Sequence, residues 1–346
     1  QGAETVERGL IPEAAARGRC RAGCTPALVQ TGHRHDGHST EAVGPTPCEQ
    51  YAPAVRSTPA SAPRLAVFRY GPGDPTTWLD RTRFVRASLT PEGEATLRIN
   101  LTSATPTYEA WGPGGEWMLR QAPAMLGAND PGHHFDTGHP TVLAAQRNHG
   151  HLRIGASGLL YHELLPTILG QRITAGEALH QWARLVRELG TPAPGPFTGL
   201  LLPPRSAALL ARPTWWFHRL GIEARRADTL RTVARHADKL FDWALLPPSE
   251  AGRLARLLPG IGEWTIGCVL NTALGDPDAV AVGDFHLKNV VAHALTGRPR
   301  GTDEEMLQLL QPYAGQRGRV VMWLLADGHR APAFGPRQRV LPMQRW

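Results

Sequence analysis

Lysine is nearly absent from this chain of 346 residues: it occurs only at Lys239 and Lys288. Arginine therefore carries almost all of the positive charge, and the formal net charge is +7. That balance favours an acidic partner, nucleic acid first and an anionic membrane surface second. Cysteine is equally scarce, with Cys20, Cys24, Cys48 and Cys268 the whole set. A fold built on disulfides is excluded at this length, and a reducing compartment fits. Long apolar runs are missing too. None approaches the roughly 20 residues a membrane helix needs. No basic stretch followed by an apolar one marks a signal peptide at the start. The expectation is a cytoplasmic protein, associated with the nucleoid if its partner is DNA, with no membrane contact.

What is present divides the chain into four parts. Residues 1–63 are rich in Gly, Pro, Ala, Arg and His without sustained periodicity, and are expected to be mostly disordered. Cys20, Cys24, His33, His35, His38 and Cys48 supply zinc-ligand types there, but their spacing matches no tight pattern. A flexible His-rich tail explains them better. Residues 64–139 contain short alternating runs, 64–70, 83–87, 95–101 and 108–111, followed by helical spacing from Gly115 to Leu126. They predict a small antiparallel sheet with a helix. Residues 140–330 read as short helices separated by Pro and Gly: 140–149, 158–170, 174–189, 206–211, 213–220, 223–237, 249–257, 263–274, 284–296, 302–311 and 315–325. Thr174 is the expected N-cap of one of them, with Gly190 at its end. Residues 331–346 form a C-terminal tail. The fold class is mainly α with an α+β N-terminal domain.

The most specific local pattern is Leu258-Pro259-Gly260-Ile261-Gly262-Glu263-Trp264-Thr265. Pro259 stops one helix, and Gly260 and Gly262 permit positive φ and close backbone approach. Amides at the start of the next helix then face outward, where the helix dipole favours an anion. Such a turn grips phosphate without reading sequence. An ordinary helix–turn–helix corner has the same composition. Asp284 follows Trp264 by 284 − 264 = 20 positions and heads another helical stretch. It suits an N-cap, and a cap would fix the rotamer that a catalytic carboxylate needs.

Three stretches in this order resemble the helix-hairpin-helix DNA glycosylase superfamily. They are Leu164-Leu165-Pro166-Thr167-Ile168-Leu169-Gly170-Gln171-Arg172-Ile173-Thr174, the hairpin 258–265, and Ala281-Val282-Gly283-Asp284-Phe285-His286-Leu287. The branch most similar is the bacterial enzymes like 3-methyladenine DNA glycosylase II, over roughly residues 64–330. The resemblance implies a monomeric base-excision repair enzyme acting on double-stranded DNA with a damaged base. Asp284 would be the catalytic carboxylate. Leu258, Pro259, Gly260, Ile261 and Gly262 would grip the strand, with Gln171, Arg172 and Lys288 as further DNA contacts. Arg172 stands where that branch often has a Leu wedge. Trp264, Tyr161 and Trp323 are the candidate base-pocket aromatics, with Trp215 and Trp216 behind them. A structural Na⁺ or K⁺ could sit on the carbonyls of Arg256, Leu258 and Ile261, with no catalytic metal and no other cofactor. The iron–sulfur branch needs clustered cysteines near its C-terminus, and none follows Cys268.

Trp264 occupies the position of the lysine nucleophile in bifunctional members. An indole forms no Schiff base, so the expected activity is hydrolysis without strand scission. A single carboxylate can stabilise the oxocarbenium character of the sugar, and is enough when the leaving base is already cationic, as an N3- or N7-alkylpurine is. Other lesions (8-oxoguanine, hypoxanthine, uracil) are the alternative substrates. A non-catalytic DNA-binding module is the alternative class. Around 205–239, eight Arg or Lys against three acids leave a local +5, a phosphate face or simply a solvated one.

Overall fold

The computed structural model describes residues 65–103 and 105–332. The expected N-terminal tail with its Cys and His, and most of the C-terminal tail, lie outside the described residues. Four strands form one antiparallel sheet in the order β1 (Thr77–Leu79), β2 (Arg83–Thr90), β3 (Gly93–Asn100), β4 (Thr107–Trp111). Alternate residues of β2 point to opposite faces, and here both faces are buried. Phe84, with Leu97 and Ile99 of β3, packs under α1 (Gly115–Met125). Val85 and Ala87 pack with Trp111 against Phe197, Leu200 and Leu202 of a later loop. The strand expected at 64–70 is instead a 3₁₀ turn, Ala66–Phe68. Its buried residues, Leu65 and Phe68, lie three apart rather than two, the spacing of a 3₁₀ turn and not of a pleat.

The helical region follows the expected segmentation closely. α2 is Pro140–His149, α3 Leu160–Leu169, α4 Ala175–Leu189 and α5 Ser206–Leu210, followed by a 3₁₀ segment, Thr214–Leu220. Then come α6 (Ala224–Arg235), α7 (Ala237–Trp243), α8 (Pro248–Ala255), α9 (Glu263–Leu274), α10 (Leu287–Thr296), α11 (Asp303–Leu310) and α12 (Arg317–Ala326). Thr174 caps α4 by accepting the Glu177 amide. The helix expected over 223–237 breaks at His236, and a further helix, α7, follows that the sequence reading left out. The central core surrounds α3, which packs against α4, α6 and α9. A second helical core joins α2 to α10, α11 and α12. No helix among the described residues is long and apolar enough to cross a membrane.

Buried polar groups tie the sheet to α3. Arg86 of β2 bonds the Glu163 carboxylate at 2.7 Å, with both side chains fully buried. Tyr70 donates to the other Glu163 oxygen at 2.6 Å. This anchoring fixes α3, whose C-terminal end leads directly into Gln171 and Arg172.

Candidate active site

Two turns and one helix start converge on Asp284. The first turn is the hairpin between α8 and α9. Leu258 and Ile261 bury their side chains in the central core, and the Ile261 amide donates to the Leu258 carbonyl at 3.0 Å. Only their backbone is therefore available to a ligand. That bond leaves the Leu258 carbonyl one lone pair for an ion. Gly260 has φ +91°, and a Cβ there would lie 2.1 Å from Thr229 Oγ1. Its glycine is demanded by packing inside the protein. Gly262 differs from expectation: its φ is −106°, an ordinary extended value, and open space lies in front of it. The first helical bond of α9 runs from Ile266 to the Gly262 carbonyl. The amides of Glu263, Trp264 and Thr265 therefore head the helix without intrahelical partners. Glu263 already places a carboxylate in this positive field, and Arg256 neutralises it at 2.9 Å.

Gln171 holds the upstream stretch onto this hairpin. Its amide donates to the Gly260 carbonyl at 2.9 Å and to Thr265 Oγ1 at 3.0 Å. Both donors are spent inside the protein, so Gln171 positions the hairpin rather than offering an amide outward. Arg172 beside it is exposed and has φ +62°, the one positive φ outside glycine among the described residues. Such a conformation costs a non-glycine residue about 1–2 kcal/mol and persists where the surroundings impose it.

Asp284 sits after Gly283, which has φ +90°. One carboxylate oxygen accepts the amides of His286 and Leu287 at 2.8 and 2.9 Å. The other accepts the Trp264 indole N–H at 3.2 Å. The carboxylate thus closes the turn that leads into α10, whose N-cap is His286 and whose first regular residue is Leu287 rather than the expected 284, and is oriented by the hairpin helix at the same time. Asp303, which the sequence reading did not single out, supports the turn by accepting the Gly283 amide at 2.9 Å. Its second oxygen takes the Lys288 ammonium at 2.9 Å. Lys288 is half-buried in that ion pair instead of lying free on the outer face.

Two further groups border the carboxylate. Cys268 lies one turn beyond Trp264 on α9. Burial, reinforced by the charge of Asp284, pushes its thiol up to about 12. It stays a neutral thiol at physiological pH, unsuited to nucleophilic work. Phe285 is 72% exposed, and its ring meets His286 edge-on. An exposed aromatic directly after the key Asp is a signal the sequence carried and the reading passed over.

The other candidate aromatics are placed elsewhere. Tyr161 is a core residue of α3 whose hydroxyl donates to the Pro204 carbonyl at 2.9 Å. Trp323 is fully buried against Phe135 in the second helical core. Neither faces an open site, because each sits on the core-facing stripe of its helix. The guanidinium groups of Arg212 and Arg219 both lie over the Trp216 ring, while Trp215 stands 76% exposed. Six of the eight cations of the basic stretch 205–239 are exposed, but several are held by partners within the protein. Arg226 is buried on the Leu169 carbonyl and Gln181, Arg231 serves carbonyls around 209–212, and Arg205 and Arg219 pair with Glu94 and Glu188.

This framework has counterparts among solved structures. A 3-methyladenine DNA glycosylase from Archaeoglobus fulgidus superposes with a TM-score of 0.64 at 17% identity, over 80% of this chain and 97% of that one. The fold is that of the helix-hairpin-helix DNA glycosylases. An 8-oxoguanine glycosylase/lyase from Clostridium acetobutylicum, bound to double-stranded DNA with cytosine opposite 8-oxoG, matches with a TM-score of 0.51 at 12% identity, over 71% of this chain and 84% of that one. MBOgg1 in complex with a low-affinity DNA ligand matches with a TM-score of 0.53 at 16% identity, over 70% and 83%. No protein-family model matches the sequence, and neither does any curated protein.

Proposed function

We propose that this chain is a monofunctional DNA glycosylase that binds double-stranded DNA as a monomer and releases damaged purines, above all N3- or N7-alkylated ones. The observation that carries the reading is the Trp264–Asp284 hydrogen bond. It couples a phosphate-gripping hairpin to a carboxylate with no amine free beside it. Lys288, the nearest lysine in sequence, is spent on Asp303.

The chemistry follows from the fixed carboxylate. Two backbone amides and one indole hold Asp284 before any substrate arrives, so no reorganisation is needed as charge develops. An acceptor-only carboxylate beside C1′ stabilises the oxocarbenium-like sugar and orients or deprotonates the attacking water. An alkylated purine leaves as a neutral base, so no general acid is required. Phe285 and the Trp264 ring offer aromatic faces to an electron-poor base drawn out of the duplex. Arg172, exposed and held at a positive φ, would fill the gap. A Na⁺ or K⁺ on the hairpin carbonyls would be structural.

The test is abasic-site formation on duplexes carrying methylated, oxidised or deaminated bases. Methylated purines should be released, with the strand left intact until alkali. Asp284→Asn should abolish release and leave duplex affinity largely unchanged. Full activity in that variant would sink the mechanism. Release of 8-oxoguanine alone would move the lesion class and keep the enzyme class. Binding with no product on any substrate would make the protein a non-catalytic DNA-binding module.

A further inference from the structure

A second cationic site lies at the far end of α9 from the hairpin. Residues drawn from 131–134 and 146–153 line an open cavity of about 760 Å³. His133, His134, Arg147, His151 and Arg153 line it, and no Asp or Glu does. The loop that follows bonds the end of α9, with Ser157 and Gly158 amides on the Thr272 and Ala273 carbonyls. α9 runs Glu263–Leu274, 12 residues, about 18 Å at the α-helical rise. The cavity is therefore separate from the Asp284 site.

Its walls are built without help from a ligand. The Asp130 side chain is nearly covered and accepts the Gly132 and Ile154 amides at 2.9 and 2.7 Å, while Arg319 bonds both of its oxygens. Its charge is consumed there. Gln146, also buried, accepts the Phe135 amide at 2.7 Å and donates to the Phe135 carbonyl and to His134 Nδ1, each at 3.0 Å. Because Phe135 fixes which way the amide points, His134 Nδ1 is an acceptor and its ring proton sits on Nε2, toward Asp136 at 3.6 Å. His134 is a wall, and the guanidinium groups of Arg147 and Arg153 are the ligands, with the His133 ring beside them.

Arg147 is exposed and makes no hydrogen bond or ion pair with any described residue. Many arginines among the described residues do otherwise: Arg83, Arg98, Arg120, Arg256, Arg298 and Arg317 each hold a carboxylate. Arg153 spends Nη1 on the Gly150 and Leu152 carbonyls, leaving Nε and Nη2. Gly132 has φ +75°, and a Cβ there would come within 2.8 Å of the Arg153 guanidinium. The glycine leaves room for that head group to lie in the cavity. Two guanidinium forks and imidazole rings on a pinned frame, without a carboxylate, match a phosphate group.

We propose that this cavity binds a phosphate group, supplied by a nucleic-acid backbone or by a free nucleotide. The test is calorimetric titration of the full chain with inorganic pyrophosphate at low salt. One equivalent should bind, and Arg147→Gln should weaken it at least about tenfold, the loss expected for one charge-assisted contact. Arg147 holds nothing else in place, so this variant should keep its melting temperature. Arg147→Gln with Arg153→Gln should abolish binding. No binding to the wild type, or equal binding to Arg147→Gln, would overturn the proposal. Competition then names the source. Displacement of pyrophosphate by an undamaged duplex assigns the backbone, and displacement by ADP alone assigns a free nucleotide. Displacement by neither also overturns it. None of these readouts involves base release, so the outcome stands apart from the glycosylase assay.

Discussion

Trp264 is where residue identity decides the chemistry. It blocks one route by lacking an amine, and it supports another by donating its indole N–H to Asp284. Trp264→Phe keeps the ring and removes the donor. A hydrogen bond to a charged group contributes about 1.5–3 kcal/mol, and partial exposure puts this one at the low end. A drop in the single-turnover rate of about tenfold on an alkylated duplex is expected, with duplex affinity unchanged. An unchanged rate would show that the amides of His286 and Leu287 alone fix the carboxylate. The sequence placed both residues at the right interval, yet their contact was not legible in it. It depends on the Gly283 turn and on Asp303 19 positions beyond Asp284. Tyr161 and Trp323 failed as pocket candidates for the converse reason. An aromatic at helical spacing reads identically whether its stripe meets a core or a cleft.

The hairpin separates what folding asks of a glycine from what a ligand asks. Gly260→Ala meets a positive φ and a side-chain clash together. The backbone term alone is about 1–2 kcal/mol, and Thr229 cannot swing away freely because its hydroxyl is held on the Arg225 carbonyl at 2.9 Å. The melting temperature should fall. Adding Thr229→Ala, which removes the two nearest atoms, should recover most of the steric part and leave the backbone part. Gly262→Ala should leave the melt unchanged, since it adds a methyl to open space, and should weaken duplex binding if that backbone meets phosphate. Equal losses of stability in the two variants would contradict this division. Element boundaries were most legible where punctuation is chemical. Pro140 opens α2, and Gly275, at φ +69°, closes α9 where expected. They were least legible where tertiary contact decides. The run 64–70 is apolar enough to read as a strand, but Leu65 and Phe68 lie three apart, and the core under the sheet takes them as a 3₁₀ turn. The break at His236 has no Gly or Pro to announce it, and the ring folds back on the Thr232 carbonyl.

Across the molecule, polar groups that composition assigns to a surface are used as internal struts. Arg226, buried on the Leu169 carbonyl and Gln181, is one case, and Asp130 with Arg319 is another. Burial pushes the Asp130 carboxyl up, but hydrogen bonds from Arg319, Ile154 and Gly132 outweigh it and hold it below its usual value. A carboxyl depressed by folding stabilises above its unfolded value, about 3.9, and that stability disappears as pH falls through the folded value. Asp130→Asn should lower the melting temperature at pH 7 and flatten its decline between about pH 5 and 2. A wild-type acid limb that survives the substitution would assign acid sensitivity to other carboxylates.

The Arg86–Glu163–Tyr70 strut carries the largest expected effect, because it joins the sheet to the helix that delivers Gln171 and Arg172. Glu163→Gln leaves the Arg86 charge buried without compensation, and removing one partner of a buried pair costs roughly 3–5 kcal/mol. Arg86 has little reserve. Its Nε and Nη1 lack hydrogen-bond partners among the described residues, and only the Phe68 ring, 5.4 Å from its centroid, offers further support. Replacing both ends, Arg86→Met with Glu163→Leu, removes the stranded charge and should cost much less than the single change. Chemical denaturation of the two singles and the double closes the cycle, and additive losses would contradict the coupling. Because α3 runs from the strut to the Gln171–hairpin contact, Glu163→Gln should also lower duplex affinity at temperatures where the protein is still folded. The double variant, with α3 seated again, should recover it.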